Sequence, residues 1–359
     1  MRILIIGPFP NPITGVSLAN KVLYDGLTKH GFIIKKIDTE FNSNINSKHG
    51  SFKLNKVYIF KSYFQAYKVI SSNLVYITIG QSFFGVLKYL PFLIISKVFK
   101  KKTIVHLHGG HLYNEYYLLS RIKKIIFRKT IGMFDFGIVL SESLKINLEK
   151  FLKPQNVFCL NNFYLDELKT NFETIRSKDF SKIKMVFLSN LIKEKGINNL
   201  LEAKKKLKQK GIHFNLKVAG SVISTNNLNE YFKFDNEISY LGNVTGKRKY
   251  ELLLWSNIFC LPTYYNMEGQ PISIIEAMAT GNMILSTKHA GIIDICSEKN
   301  ALFCQKNDID DLVEKIEFVY YNSKLIQDIS YENYKYASEK FTEKSFIDNA
   351  IKIFQKCMN

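Results

Sequence analysis

The feature that most limits the fold is a series of short aliphatic runs, each followed by helical periodicity, that occurs twice along 359 residues. The first series comprises runs at 3–6, 32–37, 74–79, 103–107, 136–140 and 157–160. Helical patterns at 17–30, 58–72, 82–100, 116–132 and 142–152 separate them. Runs this short and this apolar suit strands buried on both faces, which is the environment of a parallel sheet. A polar, irregular stretch follows, and the alternation restarts with runs at 185–188, 214–219, 238–241, 258–261 and 283–286. Helical patterns at 196–210, 247–255 and 271–280 join these runs, and a helical tail spans 309–321 and 323–357. The expected fold class is therefore α/β, with two Rossmann-like, doubly wound parallel-sheet domains facing each other across a cleft. The expected boundaries are a first domain at 1–165, a linker at 166–182, a second domain at 183–340, and a C-terminal helix at 341–359 packing back on the first domain. Ligands of such sheets bind at the carboxyl ends of the strands.

Charge narrows the partners. Residues 1–180 carry 26 Lys and Arg against 11 Asp and Glu, while residues 181–359 carry 24 against 20. Between 51 and 100 there are seven lysines and no acid. An anionic partner for the first half follows: nucleic acid, anionic lipid or a phosphorylated ligand. The segments 56–68 and 84–102 interleave lysines with aromatics and aliphatics, a composition that suits an anionic membrane surface. The longest apolar stretch, 83–99, is broken by Lys88, Pro91 and Lys97, too early for a spanning helix. The first apolar run stops at Gly7-Pro8, shorter than a signal peptide requires. Cys159, Cys260, Cys296, Cys304 and Cys357 are odd in number and lack metal-ligand spacing, which points to reduced thiols in a cytoplasmic protein. No convincing acid pair for a metal ion is present, so no metal or other cofactor is expected. Asp308-Ile309-Asp310 imitates such a pair but sits at a helix start, where acids complement the dipole.

The segment 262–281 carries the chemistry. Pro271 suits the first turn of a helix, where its missing N–H costs nothing, and Gly269 permits close backbone approach to a ligand. A helix start after such a loop offers free N–H groups and a positive dipole end, a ready site for a diphosphate. Glu268 precedes this start and Glu276 lies inside the helix. Carboxylates accept hydrogen bonds, so each suits the vicinal hydroxyls of a ribose or hexose.

The run Glu268-Gly269-Gln270-Pro271-Ile272-Ser273-Ile274-Ile275-Glu276-Ala277-Met278-Ala279-Thr280-Gly281 resembles the signature of family 4 retaining glycosyltransferases, which have the GT-B fold. The resemblance implies that Glu268 contacts the transferred sugar as a catalytic residue. It implies that Glu276 holds the nucleotide ribose, and that the backbone of Gly269, Gln270, Pro271 and Ile272 holds phosphate and sugar. The run 187–196 resembles a second family element, whose Arg and Lys grip the donor diphosphate. Lys195 matches the Lys, whereas Asn190 stands where the family has Arg and offers a neutral amide instead of a charged fork. By the same resemblance, Gly15 belongs to the loop that approaches the donor phosphates. Asn243 and Val244 belong to the loop that contacts the base. A histidine faces the reacting sugar from the end of a first-domain strand. Alternation puts His106 and His108 on one strand face, and His108, at the loop edge, is the preferred catalytic candidate.

The expected activity is metal-independent, retaining transfer of a sugar from a UDP- or GDP-linked donor to a hydroxyl of a glycan acceptor, taken to be lipid-linked, in surface polysaccharide biosynthesis. The expected location is cytoplasmic, peripheral on the inner membrane. Two other readings are open: a nucleotide-sugar epimerase of the same fold, and a basic nucleic-acid-binding protein. The latter lacks any reading motif, so nucleic acid is not the expected partner.

Overall fold

A computed structural model describes residues 1–40, 59–224 and 235–359. The start of the helical pattern at 58–72, and of the basic aromatic segment 56–68, lies outside the described residues. The chain folds as two units, one comprising Met1–Asn162 with Lys344–Asn359, the other Phe163–Glu343.

In the first unit, β1 (Arg2–Gly7), β2 (Ile33–Asp38), β3 (Leu74–Ile79), β4 (Lys102–Leu107), β5 (Phe136–Val139) and β6 (Val157–Cys159) form a parallel sheet in the order β2-β1-β3-β4-β5-β6. All six residues of β3 are buried, as a strand covered on both faces requires. Helices shorter than the sequence periodicity suggested cover the sheet. The pattern at 82–100 divides into Phe83–Leu87 and Leu90–Val98, with Pro91 in the first turn of the second. The pattern at 116–132 becomes Leu112–Leu118 and Arg121–Ile131, parted by an extended Ser120. The helix Glu343–Met358 closes this unit: Ile347 lies where a side chain on Gly26 would sit, and the Phe354 ring meets Tyr76 at 5.6 Å.

The second unit repeats the scheme. Its strands are β7 (Lys184–Leu188), β8 (Leu191–Ile192), β9 (Asn215–Ala219), β10 (Val222–Ser224), β11 (Ile238–Tyr240), β12 (Ile258–Leu261), β13 (Met283–Thr287) and β14 (Ala301–Cys304). Six of them make a parallel sheet in the order β11-β9-β7-β12-β13-β14, and β8 pairs with β10 separately. The stretch 166–182, expected as a linker, is folded into this unit, where Leu168, Ile175 and Phe180 are buried. Its polarity has a local use. The Lys178 ammonium donates to the carbonyls of Thr280 (2.8 Å) and Gly281 (2.7 Å), which end the helix Ile272–Ala279. Burial pushes the Lys178 pKa well below its ordinary value. The long tail also divides, into Ser323–Lys340 and Glu343–Met358, because Thr342 bridges to Tyr164 and Phe341 accepts from the Tyr164 amide at 2.9 Å.

Gly281 has φ +64, and a side chain there would meet Ile175 at 2.4 Å. Gly211 has φ +78 with nothing within 4 Å. Alanine at either position costs backbone strain of roughly 1–3 kcal/mol, and only at Gly281 does a packing clash add to it. Urea denaturation should therefore show a lower midpoint for Gly281→Ala than for Gly211→Ala. Equal midpoints would contradict this account.

Candidate active site

Five loops leave the carboxyl ends of strands β7, β9, β11, β12 and β13, and hydrogen bonds tie them together. Ser189, just past β7, donates its amide to Ala219 at 3.1 Å. Gly220 has φ +141, and a side chain on it would overlap the Ser189 carbonyl, so only glycine lets these loops approach. The Gly220 amide donates to the Gly242 carbonyl at 2.8 Å, and the Tyr240 hydroxyl donates to the Gly220 carbonyl at 2.8 Å. Gly196 (φ +83) ends the turn Lys193–Lys195 and presses on Pro262. The Tyr264 amide donates to the Glu194 carbonyl at 2.8 Å, which joins the β7 and β12 loops.

This framework brings Lys195 and Glu268 together. Their charged atoms lie 2.6 Å apart, and the Thr263 hydroxyl donates to the same carboxylate oxygen at 3.2 Å. The Lys195 ammonium also stands 5.1 Å from the Tyr265 ring centroid. From the β13 loop, His289 donates through Nε2 to the Tyr265 carbonyl at 2.8 Å, and the Gly291 amide donates to Gly269 at 2.9 Å. Burial holds His289 below its ordinary pKa, so it is neutral at pH 7.

Gly269, Gln270 and Pro271 are buried behind the helix Ile272–Ala279, whose first two residues are partly exposed. Pro271 takes the N-cap position, one residue before the first helical turn expected for it, and no side chain caps this end. Glu276 is buried within the helix, with Lys249 at 2.5 Å from the helix Gly246–Trp255. Burial raises the Glu276 pKa, and the Lys249 charge and hydrogen bond oppose that rise. Asn190 and Asn243 are exposed, and Asn243 accepts from the Ser221 hydroxyl at 2.9 Å. Val244 is buried.

Sequence reasoning singled out Glu268, Glu276, Lys195 and the intervening backbone, and the structure pairs Lys195 with Glu268 while Glu276 meets Lys249 inside the following helix. It missed Lys249 and His289. Neither carries a local signal, because each acquires its meaning from a partner 27 or 24 residues away.

The first unit holds the other candidates. Gly15 is the first residue of the helix Gly15–Lys29, whose start is capped by Thr14 and Ser17 reciprocally. His106 is fully buried on β4 and bonds through Nδ1 to the Tyr76 hydroxyl. Its ring lies 4.0 Å from that of His108, on the same side of the strand. Among the described residues, Nε2 of both rings and Nδ1 of His111 are buried without a hydrogen-bond partner. Burial lowers the His108 pKa to about 3, and burial together with His108 holds His106 well below its ordinary value. Both imidazoles are therefore neutral at pH 7 and act as hydrogen-bonding groups rather than cations. Among the described residues, no group of three His, Cys, Asp or Glu is placed to hold a metal ion, and no helix is long and apolar enough to cross a membrane.

Comparison with known proteins places this geometry. Residues 170–336 match the family model described as Glycosyl transferases group 1. The chain is 25% identical over 292 residues to an uncharacterised glycosyltransferase of Methanocaldococcus jannaschii, covering 75% of this chain and 72% of that one. It is 25% identical to the capsular polysaccharide biosynthesis glycosyltransferase CapM of Staphylococcus aureus, covering 58% of each. It is 26% identical to the N,N'-diacetylbacillosaminyl-diphospho-undecaprenol alpha-1,3-N-acetylgalactosaminyltransferase of Campylobacter jejuni, over 55% of this chain and 49% of that one. Among solved structures, HepE of Anabaena in complex with UDP aligns over 99% of this chain and 100% of its own, with a TM-score of 0.73 at 14% identity. At that identity the likeness speaks for the fold, which is GT-B.

The Lys249–Glu276 pair makes a testable demand on stability. A carboxyl whose pKa is higher folded than unfolded binds more protons in the folded state, so its contribution to stability falls as pH rises through that window. Removing the lysine leaves a buried charge uncompensated, a loss of roughly 3–5 kcal/mol. Lys249→Met should therefore lose most stability at neutral pH and much less near pH 4, and adding Glu276→Gln should restore part of the loss. Urea unfolding against pH reads all three proteins. A pH-independent loss would refute the pairing.

Proposed function

We propose, on the premise that the second unit is a group 1 glycosyl transferase domain, that this chain is a retaining glycosyltransferase working without a metal ion. Its donor is a nucleoside-diphosphate sugar, and its acceptor is a hydroxyl of a lipid-linked glycan in surface polysaccharide assembly. The observation that carries this reading is the pair of lysine-bound carboxylates, Glu268 and Glu276, placed before and within a helix whose N-terminus no side chain caps. UDP is the favoured nucleotide because the similarly folded HepE was solved with it. The lipid-linked acceptor is favoured because the Campylobacter relative is named for a diphospho-undecaprenol substrate. The capsular relative favours the polysaccharide setting. We place the reaction in the cytoplasm, at the inner face of the membrane.

The chemistry follows from the groups present. A departing nucleoside diphosphate concentrates negative charge on its phosphates. Lys195, the helix N-terminus and the amides of residues 269–272 supply the positive field that stabilises it. Lys195 is bound to Glu268 in the structure. A diphosphate competing for that ammonium would release a Glu268 oxygen to accept from the sugar hydroxyls. Glu276 accepts from the ribose hydroxyls, with the Lys249 charge opposing the rise that burial imposes on its pKa. Asn190 adds a neutral contact, and the loop at Asn243 and Val244 lies against the base. His108, neutral and with an unpaired Nε2, is suited to exchange a hydrogen bond with an uncharged hydroxyl, and the His106 ring lies beside it. The acceptor hydroxyl attacks the anomeric carbon from the face the diphosphate leaves. The new C–O bond forms as the old one breaks, and the acceptor proton passes to the departing phosphate oxygen.

Binding and slow hydrolysis of a nucleotide-sugar panel test the assignment. A hydrogen bond to a charged group contributes about 1.5–3 kcal/mol, or roughly tenfold or more in affinity. Glu276→Ala should weaken free nucleotide and nucleotide-sugar alike by about that factor. Glu268→Ala should leave free nucleotide within about twofold and flatten discrimination among sugars. Equal losses for free nucleotide would sink the division of roles, inversion of the product anomer would sink retention, and release of an isomerised monosaccharide without acceptor would favour an epimerase.

A further inference from the structure

The loop that carries Glu268 runs from the end of β12 to the helix Ile272–Ala279 without a helix or strand of its own. One carbonyl organises it. The Tyr265 oxygen accepts from the Glu268 amide at 2.9 Å, which closes a β-turn ending on Glu268. The same oxygen accepts from His289 Nε2 at 2.8 Å. A carbonyl oxygen has two lone pairs, so both bonds stand together. Gly269, directly after the carboxylate, accepts from the Gly291 amide at 2.9 Å. His289 and Gly291 therefore bracket Glu268 from outside its own loop.

The bracket extends a seam between neighbouring strands. β12 and β13 pair in parallel, with Leu261 opposite Ser286, and beyond the ladder side chains take over. The Ser286 hydroxyl donates to the Leu261 carbonyl at 2.6 Å, and the Thr287 hydroxyl donates to the Thr263 carbonyl. The bond from His289 to Tyr265 is the next stitch. Reaching Tyr265 and Gly269 together bends the chain: Ala290 has φ +46, a left-handed conformation that strains any residue with a side chain. Such strain persists only where the surrounding structure fixes it. Charge suits an imidazole to this position. Burial lowers the His289 pKa, the bond to Tyr265 opposes that, and the Lys306, Glu268 and Lys195 charges all reach the ring. A neutral ring carries one proton, which the Tyr265 carbonyl holds on Nε2, and it adds no cation to compete with Lys195 for Glu268.

We propose that His289 is a positioning residue for Glu268: by holding the Tyr265 carbonyl it fixes the turn that aims the carboxylate, and through Glu268 it sets which sugar the donor site accepts. This inference rests on the sugar-transfer reading, in which Glu268 meets the sugar and Glu276 the nucleotide. Glu276 takes its lysine from the helix Gly246–Trp255, an element outside the stitched loops. Loss of the imidazole therefore acts on the sugar half of the donor and spares the nucleotide half. A merely structural histidine would weaken both.

The full chain and its variants are compared by affinity for UDP and GDP, by slow hydrolysis of UDP- and GDP-sugars, and by amide hydrogen exchange over residues 262–271. His289→Ala should speed exchange of the Glu268 amide and slow hydrolysis of the preferred nucleotide-sugar, each about tenfold, while free nucleotide affinity stays within about twofold. His289→Gln, whose side-chain amide also donates, should recover most of both losses. His289→Ala/Glu268→Ala should hydrolyse the donor no more slowly than Glu268→Ala, because residues acting as one unit are not additive. Lys288→Gln, beside His289 in sequence and paired on the surface with Glu298, should match the wild type. Unchanged exchange and hydrolysis in His289→Ala would overturn the proposal. So would a glutamine variant no better than alanine, an equal loss of free nucleotide affinity, or additive losses in the double variant. A wild-type chain that binds no nucleotide-sugar would instead overturn the transfer reading and the sugar-selecting role with it, and exchange of the Glu268 amide would still show whether His289 holds the turn.

Discussion

Every strand in the two six-stranded sheets runs parallel to its neighbours, so no adjacent pair can be joined by a tight turn. Each connection must cross back over a face of the sheet, and the crossing segments are what bury both faces. The same constraint collects the loops. In the second unit the loops after β7, β9, β11, β12 and β13 all emerge at one edge, whatever their sequences. Their close approach then selects residues locally: glycine at Gly196 and Gly220, where any side chain would overlap a neighbouring carbonyl. The position of Lys195 beside Glu268 follows from that chain of requirements rather than from attraction between the two charges.

Electrostatics at the site is a problem of desolvation. Glu268 and Glu276 are both buried, and an isolated buried carboxylate would protonate or bring in water. Each is given a lysine from another element. Such pairs contribute little net stability, since the ions surrender hydration to meet. Their use is poise. A ligand with its own negative charge and hydroxyls can exchange for the internal partner, so the dehydration is already complete before it arrives. The histidines of the first unit show the opposite solution. Burial keeps His106 and His108 neutral, and their unpaired nitrogens remain available to uncharged hydroxyls.

Much of this was legible in the sequence because burial on both faces leaves a simple trace. Strands such as 74–79 and 258–261 are uniformly apolar, and the strands fell close to where those runs lie. The helices were less legible. Periodicity continues through a break when the next helix resumes in nearly the same phase, so 82–100 and 116–132 read as single helices although the chain breaks at Lys88–Tyr89 and at Leu119–Ser120. β14 escaped notice because Ala301–Cys304 is an edge strand without a β-branched residue, and two of its four residues are only partly buried. The motif around Glu268 was legible because its roles depend on adjacent residues. Lys249 and His289 were not, since their partners are brought to them only by the crossovers.

The stretch 166–182 and the helix Arg121–Ile131 expose one error of inference from opposite sides. Polar sequence was taken as linker, yet Lys178 is consumed in capping the helix Ile272–Ala279 from below. Apolar sequence between 84 and 102 suits a membrane surface by composition, yet it divides: Val86, Tyr89, Phe92 and Leu93 are buried, whereas Phe84, Ile94, Val98 and Phe99 are exposed. Composition reports how much apolar or charged material a segment has, and not which way each residue points. A helix with one apolar stripe can be oriented from sequence, because the stripe must face inward. Arg121–Ile131 has two, at Phe127–Ile131 and at Ile122–Ile126, and periodicity treats them equally. Only packing breaks the tie: the aromatic cluster of Phe83, Tyr116, Phe127 and Phe151 occupies one stripe and leaves the other to solvent. The cations then acquire direction as well, because they flank the stripe that the core did not take.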